Sequence, residues 1–174
     1  LKDGSKLDKK VRTYLEEENK YSDLHLKKIR PLQKTLFKEI KGRIKLDNVS
    51  LPFKDTNYEY WTKTTKSGNY SIRLRKKINS KNIEIYWDGN KEHKLSKSEY
   101  FGIGDLAVSY NDKLLGYSLD LKGSEYFTIY IRQISNNKLV SSKINDTSGN
   151  IIFSLDDKYI FYSKLDNNHR PKTI

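Results

Sequence analysis

A glycine-rich stretch is the first candidate for chemistry in this sequence. The residues GIGDLA at positions 102–107 match the dinucleotide-binding fingerprint G-x-G-x-x-A. That chemistry requires a strand, a tight turn and then a helix N-terminus, which holds the pyrophosphate. Here the residues that follow have the pattern of a β-hairpin, and the second copy of this stretch, TSGNII at residues 147–152, keeps only one of the two glycines. We therefore predict a tight turn between repeat units and no cofactor.

Histidine, cysteine, serine and paired carboxylates offer no second candidate. His25, His93 and His169 are far apart in the chain, so we predict no metal site. Without cysteine there is no disulfide framework, and without a G-x-S-x-G elbow serine hydrolysis has no visible nucleophile. Asp156 and Asp157 fall on a predicted turn, which such residues commonly cap. The sequence therefore predicts no catalytic, cofactor-binding or metal-binding residue.

An internal repeat organises the elements of the chain. The stretch AVSYNDKLLGYS at residues 107–118 returns 45 residues later as IFSLDDKYIFYS at residues 152–163. Five of the twelve positions are identical, and most of the others are apolar in both copies. Each copy reads as a strand, a polar turn and a second strand. A period in the forties built this way is typical of a β-propeller blade, which needs neighbours to bury its faces.

The repeat predicts about two and a half blades of antiparallel strands, in units of residues 48–100, 101–147 and 148–174. In the first, degenerate unit, strands are predicted from Tyr58 and over residues 70–78 and 83–87, followed by a turn at 88–90 and a polar connection. In the second unit, they are predicted over residues 104–110, 114–121, 126–134 and 139–144. In the third, they are predicted over residues 151–155 and 159–165. At the 45-residue offset Pro171 begins the next strand, so we expect the chain to stop within this blade.

Residues 8–44 have the pattern of two helices. Asp8 is the predicted N-cap of the first, and Pro31 fits the first turn of the second. The second helix carries an apolar stripe that we expect to be buried, formed by Leu32, Leu36, Phe37, Ile40 and Ile44. The predicted fold is thus mainly β. A helical extension of residues 1–47 precedes a partial β-propeller of residues 48–174.

The formal net charge of +12 raises the possibility of nucleic-acid binding. The excess is +6 in residues 1–47 and +5 in residues 48–100, but only +1 in residues 101–174. One dense basic spot is present, at Arg73, Arg75, Lys76 and Lys77. Because the clearest repeats are nearly neutral, we expect a solvated, lysine-rich surface and no nucleic-acid partner. The sequence also contains neither a membrane-spanning run nor a secretion signal, which predicts a cytoplasmic protein without a membrane partner.

Five segments, in order along the chain, resemble the prolyl oligopeptidase family of serine peptidases, and within it the oligopeptidase B (protease II) group. They are KVRTYLEEENKY (10–21), LFKEIKGRIKLDNVSLPF (36–53), YFGIGDLAVSYNDKLLGYSLDLKGSEYFTIYIRQI (100–134), SGNIIFSLDDKYIFYSKLD (148–166) and RPKTI (170–174). The resemblance covers nearly the whole chain and concerns the N-terminal portion of these enzymes.

This resemblance implies a helical extension, a seven-bladed propeller and an α/β-hydrolase domain that carries the catalytic serine, aspartate and histidine. In such enzymes the propeller covers the active site and excludes large folded substrates, and oligopeptidase B cleaves short peptides after Lys or Arg. No catalytic position of the family falls on this chain, because the hydrolase region follows the propeller. The chain is therefore expected to be a non-catalytic segment that gates and scaffolds the hydrolase domain of the complete peptidase.

Two other functions are compatible with the same residues. One is a stand-alone propeller-like interaction module or the remnant of a disrupted peptidase, and the other is a basic nucleic-acid binder. Whichever holds, a piece of a propeller exposes apolar blade faces and an unpaired strand edge in residues 150–174. We therefore also expect the chain to self-associate.

Overall fold

Helices and strands occupy separate parts of the chain. The computed structural model describes residues 6–174. Two compact units divide them, one ending at Asn48 and the other beginning at Val49. The first contains two α-helices, and the second contains antiparallel sheets and one further helix. The mainly β fold with two leading helices is therefore confirmed.

The helices begin where the predicted capping residues lie. Helix α1 (Lys9–Leu26) follows Asp8, whose carboxylate accepts hydrogen bonds from two backbone N–H groups of the first turn at 2.9 and 3.3 Å. A 3-10 turn (Lys27–Ile29) leads into α2 (Arg30–Arg43). Pro31 lies in the first turn of α2, where its missing N–H costs no hydrogen bond. Neither of these helices, nor the third one described below, is long and apolar enough to cross a bilayer.

The apolar stripe of α2 differs from the expectation. Leu32, Leu36, Phe37, Ile40 and Ile44 are all exposed. A helix buries such a stripe only against another element, and in the described part of the helical unit no side chain is buried. The prediction of a buried stripe is therefore wrong for this unit taken by itself.

The first sheet contains five strands, β1 (Asn48–Val49), β2 (Phe53–Asp55), β3 (Tyr58–Thr64), β4 (Ile72–Lys77) and β5 (Ile83–Asp88). Its order is β1-β3-β4-β5, and β2 also pairs with β3 through a tight two-residue connection. We call β2, β3 and their connection the first hairpin. Helix α3 (Gly89–Ser96) follows, where the sequence predicted a turn and a polar connection. It forms because the Asp88 carboxylate caps two N–H groups of its first turn.

The second sheet is built on β6 (Gly102–Val108), β7 (Leu114–Asp120), β8 (Phe127–Gln133) and β9 (Ile144–Thr147). We call β6, β7 and their turn the second hairpin. The first three strands lie where they were predicted, whereas the fourth begins at Ile144 instead of ending there. Leu139 makes only an isolated bridge to Arg132. The register shifts between Phe127 and Ile129, so regular pairing with β8 resumes at Ile144.

The third unit divides its strands between two sheets. Strands β10 (Ile152–Phe153) and β11 (Ile160–Phe161) pair only with each other, and with their turn they form the third hairpin. Strands β12 (Lys164–Leu165) and β13 (Pro171–Thr173) instead extend the second sheet, in the order β13-β12-β9-β8-β7-β6. The expected strand at Pro171 therefore exists, but it does not belong to a separate third sheet. The cause is a change of partner within one stretch, because Lys164 pairs with Thr147 of β9.

The sheets stack side by side around two apolar clusters. The cluster between the first and second sheets contains Trp87, Phe101, Leu115, Tyr117 and Leu119. The cluster between the second sheet and the third hairpin contains Ile129, Ile131, Ile151 and Phe153, with Tyr162 packed against it. Tyr117 and its repeat counterpart Tyr162 thus occupy equivalent places in successive interfaces. This arrangement confirms the predicted stacking.

Candidate functional site

The second and third hairpins have the same kind of turn, which the sequence pattern S-x-N/D-D-K specifies. In the second hairpin, the Ser109 hydroxyl accepts from the N–H of Leu114 at 2.9 Å and donates to Asn111 Oδ1 at 2.9 Å. That Asn111 oxygen in turn accepts from the N–H of Lys113 at 3.0 Å. The following residue, Asp112, has a φ of 62°, in the left-handed region that Asn, Asp and Gly tolerate best. The side chains of this turn therefore satisfy its own backbone.

The third hairpin repeats these contacts one for one. Ser154 Oγ accepts from the N–H of Tyr159 at 3.0 Å and donates to Asp156 Oδ1 at 2.7 Å. The same carboxylate accepts from the N–H of Lys158 at 3.2 Å. The Ser154 hydrogen bond, followed by the Lys158 N–H, lowers the pKa of Asp156. Asp157 then takes the left-handed position, with a φ of 57°. The predicted capping role of Asp156 is therefore confirmed.

The aspartate at the left-handed position binds the turn of the preceding hairpin. Asp157 accepts hydrogen bonds from the backbone N–H groups of Tyr110 and Asn111, at 2.7 and 2.8 Å. These partners lie 46 and 47 residues away in sequence. Charge-assisted bonds of this kind are about twice as strong as neutral ones. The carboxylate therefore connects two successive repeat turns.

Asp112 makes the corresponding contact with the first hairpin. Its carboxylate accepts from Thr56 Oγ1 at 2.7 Å, Asn57 Nδ2 at 2.9 Å and the Tyr60 hydroxyl at 3.1 Å. Burial raises the pKa of Tyr60, and the adjacent charge of Asp112 raises it further. The main-chain oxygen of Asp112 accepts from buried Arg75 at 2.7 Å. The carboxylate and the main-chain oxygen of this one turn residue thus both accept from side chains of the neighbouring unit.

Strand β6 provides a second connection between units. Asp105 Oδ2 accepts from the N–H of Ile151 at 2.9 Å, and the Ser118 hydroxyl donates to the Gly149 carbonyl at 2.6 Å. A Cβ at Gly104 would lie only 2.5 Å from Ser118 Oγ, which explains a glycine at that place. The fingerprint at residues 102–107 is therefore a strand and not the predicted tight turn. No helix follows it, so the context for a pyrophosphate is missing.

A largely buried ion pair joins α3 to the second sheet near the apolar cluster between the two sheets. Arg132 Nη1 on β8 lies 2.7 Å from Glu92 Oε1 on α3. The guanidinium carbon lies 5.3 Å from the Trp87 ring centre and 5.0 Å from that of Tyr117, within cation–π range. Burial raises the pKa of Tyr117 to about 12. The two aromatic rings and the carboxylate together compensate the desolvated charge.

The dense basic spot is mostly neutralised within the first sheet. Arg75 is buried and pairs with Glu84 at 2.9 Å, and Lys76 pairs with Glu59 at 3.0 Å. Arg73 donates to a threonine hydroxyl on β3 at 2.7 Å. Alternation along β4 places Lys76 on the face opposite Arg75, so the four side chains do not share one surface. An open groove of about 1120 Å³ beside Arg75 has a mixed lining of Arg, Lys, Glu and Asp side chains.

Each of the three histidines makes a local contact of its own. His25 contacts the Tyr21 ring, His93 Nε2 lies 3.0 Å from the Ser98 carbonyl oxygen, and His169 Nε2 lies 3.0 Å from that of Ser124. Within residues 6–174, no group of three or more metal-ligating side chains comes together. The absence of catalytic residues from this chain stays a prediction.

Sequence reasoning missed the residues that make the contacts between units, above all Asp112, Asp157 and Arg132. The one sequence signal for this contact is that Asp112 and Asp157 are identical at the 45-residue offset. A turn alone would require only a small or polar residue at this position. Nothing in the local sequence marks Arg132, whose partner Glu92 lies 40 residues earlier.

Comparison with known proteins identifies the same region of one family. The family description "Prolyl oligopeptidase, N-terminal beta-propeller domain" matches residues 1–173. Dipeptidyl aminopeptidase BI of Pseudoxanthomonas mexicana is 25% identical over 188 aligned residues, which cover 100% of this chain and 25% of that protein. Protease 2 of Moraxella lacunata is 23% identical over 166 residues, covering 91% of this chain and 24% of that protein.

Solved structures show the same fold. Oligopeptidase B from Leishmania major superimposes with a TM-score of 0.83 at 23% identity, over 97% of this chain and 24% of that one. The chain thus spans about a quarter of the length of the relatives that it matches. The family match over residues 1–173 includes the region in which the repeat hairpins stack. The chain therefore belongs to the prolyl oligopeptidase family, as its N-terminal β-propeller region.

Proposed function

We propose that this chain is the non-catalytic N-terminal propeller segment of a cytoplasmic serine oligopeptidase. In this role it scaffolds a hydrolase domain and limits access to short peptides, which the complete enzyme cleaves after Lys or Arg. One observation carries the proposal, namely the family match over residues 1–173 of a chain that spans a quarter of its relatives. The proposed domain division is a helical extension of residues 1–47 and a partial propeller of residues 48–174, in blade units 48–100, 101–147 and 148–174.

The contacts between units support a scaffolding role. The second sheet is covered by apolar side chains on both faces, and buried polar groups such as Arg132 and Asp112 are paired across the interfaces. Such contacts fix neighbouring units relative to each other more rigidly than apolar packing alone. A rigid stack of hairpins can hold a passage at constant width. The partner is then the remainder of the peptidase, meaning further blades and the hydrolase domain.

A chimera tests this function. In Protease 2 of Moraxella lacunata, this chain replaces the matching N-terminal quarter, and the product is assayed on a benzoyl-arginyl reporter, a short Lys peptide and a folded protein. We expect cleavage of the short substrates and none of the folded one, while this chain by itself turns over no reporter. A folded chimera that degrades the folded protein would contradict the gating role. Steady turnover by the isolated chain, blocked by a serine-directed inhibitor, would contradict the non-catalytic role.

An interaction module is the second candidate function, and one observation favours it. The third hairpin exposes Ile152, Leu155, Tyr159 and Phe161, and contiguous exposed apolar side chains commonly mark an interaction surface. We infer that isolated copies of the chain self-associate through this face. A nucleic-acid partner is not proposed, because the densest basic spot is engaged in pairs within the first sheet.

A further inference from the structure

The contact between repeat turns has a direction. Asp112 of the second hairpin reaches the first hairpin at Thr56, and Asp157 of the third reaches the N–H groups of Tyr110 and Asn111 in the second. In both cases, the carboxylate occupies the left-handed turn position and its partners lie in the preceding hairpin. Each turn can therefore both hold its predecessor and be held by a successor.

The third hairpin presents the receiving half of this contact. At the 45-residue offset, Tyr110 and Asn111 correspond to Leu155 and Asp156. The internal hydrogen bonds of the two turns are the same, so the two N–H groups have the same arrangement. Among the described residues, the Leu155 N–H has no acceptor and the Asp156 N–H is bonded only to its own carboxylate, and Leu155 is 81% exposed. The donors that would receive a carboxylate therefore face solvent.

The side face of the third hairpin is also equivalent to a covered one. In the second hairpin, Ala107 and Gly116 lie against the third hairpin, and a Cβ on Gly116 would lie 3.2 Å from the Phe153 ring. Their counterparts are Ile152 and Phe161, which are 63% and 53% exposed. The turn donors and the apolar face of the third hairpin thus correspond to those with which the second hairpin already binds the third.

We propose that the third hairpin binds a further β-hairpin whose turn carries a carboxylate at its left-handed position, and that this carboxylate accepts hydrogen bonds from the N–H groups of Leu155 and Asp156. The apolar side of this hairpin covers Ile152 and Phe161. A second copy of the chain does not provide it, because the first hairpin has Thr56 at the left-handed position. The inference goes beyond the proposed function, since it holds whatever substrates the complete protein cleaves.

The test extends the repeat by one hairpin. A second copy of residues 130–174 is fused after Ile174, which keeps the 45-residue period and supplies a copied Asp157 at the next turn. Ile152→Ala and Phe161→Gly in the original third hairpin give the receiving face the small residues of the second. Asp157→Ala in the appended copy then removes only the carboxylate.

A matched pair of variants removes the donor. Leu155→Pro eliminates the N–H, and proline is favoured at this second position of the turn, so the turn itself is kept. Leu155→Ala retains the N–H and serves as its control. In the chain without the extension, these two variants should be equally stable, which shows that proline is tolerated.

The carboxylate and the N–H should act together in the extended chain. With Leu155→Ala, loss of the copied carboxylate should raise the unfolding equilibrium constant about ten-fold, whereas with Leu155→Pro it should have little further effect. The amide of Asp156 should exchange about ten-fold more slowly when the copied carboxylate is present.

Three results would overturn the inference. The first is an equal effect of the carboxylate in both Leu155 backgrounds. The second is an appended copy that exchanges like an unfolded chain, since the second hairpin orders a third with the same residues. The third is protection of Asp156 in the chain without the extension that rises with concentration to the level given by the copied carboxylate, because apolar association alone would then account for it.

Discussion

Replacement of Asp112 should loosen the first and second sheets at a single point. In Asp112→Asn, the left-handed conformation is retained, because asparagine, like aspartate, is among the non-glycine residues that tolerate it best. The charge is lost, and the amide has one acceptor oxygen for the three donors on Thr56, Asn57 and Tyr60. A hydrogen bond to a charged group contributes about 1.5–3 kcal/mol, and a buried donor left unpaired adds a penalty. We therefore expect a loss of about 2–3 kcal/mol.

The measurement follows the two tryptophans, Trp61 and Trp87, which both lie in the first sheet. Urea titration by fluorescence gives the free energy of unfolding, and the thermal midpoint should fall by about 4–12 °C for a chain of this size. Asp156→Asn is the matched control, since it creates the turn that the second hairpin already has at Asn111. It should leave the midpoint unchanged. A midpoint for Asp112→Asn equal to that of the control would refute the structural role of the carboxylate.

The other contacts give three further predictions. Arg132→Met should lower the free energy of unfolding by about 2–3 kcal/mol. This is at or below the lower end for a broken buried ion pair, because the Glu92 side chain is 18% exposed. Recovery of stability with Glu92→Leu would support this, and no loss in Arg132→Met would contradict it. The pKa of Tyr117, about 12, lies above the value of about 10 in an unfolded chain, so stability is full below about pH 10 and falls as the pH rises towards about 12. Tyr117→Phe should flatten that decline in urea titrations at stepped pH, and an unchanged slope would be evidence against it. Sedimentation velocity should show association that increases with concentration and that Phe161→Lys reduces; a monomer at every concentration would argue that the exposed face is inert.

The sequence was most informative where local chemistry decides the structure. Asp8 and Pro31 mark helix starts because capping and a fixed φ act within one turn. The paired serines and aspartates of the repeat predicted the second and third hairpins, because side chains within five residues satisfy those turns. Local reading failed at α3, since Asp88 followed by glycine is both a turn pattern and a helix N-cap.

The remaining features depend on partners distant in sequence. Arg132 reads as a solvent-exposed residue until Glu92 and two aromatic rings surround it. Asp157 reads as a turn residue, although its acceptor atoms serve N–H groups 46 and 47 residues earlier. The division of one stretch between β11 and β12 depends on the edge that β9 offers at Thr147. Such choices follow from tertiary packing, which no local pattern contains.

The backward reach of the turn aspartates also bears on how the chain is made. Each carboxylate belongs to the later of the two hairpins that it joins. The contact of an earlier hairpin therefore forms only after the next hairpin has been synthesised. At a synthesis rate of about 5–20 residues per second, a 45-residue period delivers a new hairpin every 2–9 s or so. Each newly made hairpin supplies the carboxylate that the preceding hairpin binds, and its own turn offers a new pair of backbone N–H donors. The stack therefore forms from the N-terminus towards the C-terminus. If synthesis pauses at any stage, every hairpin except the last has already bound its successor.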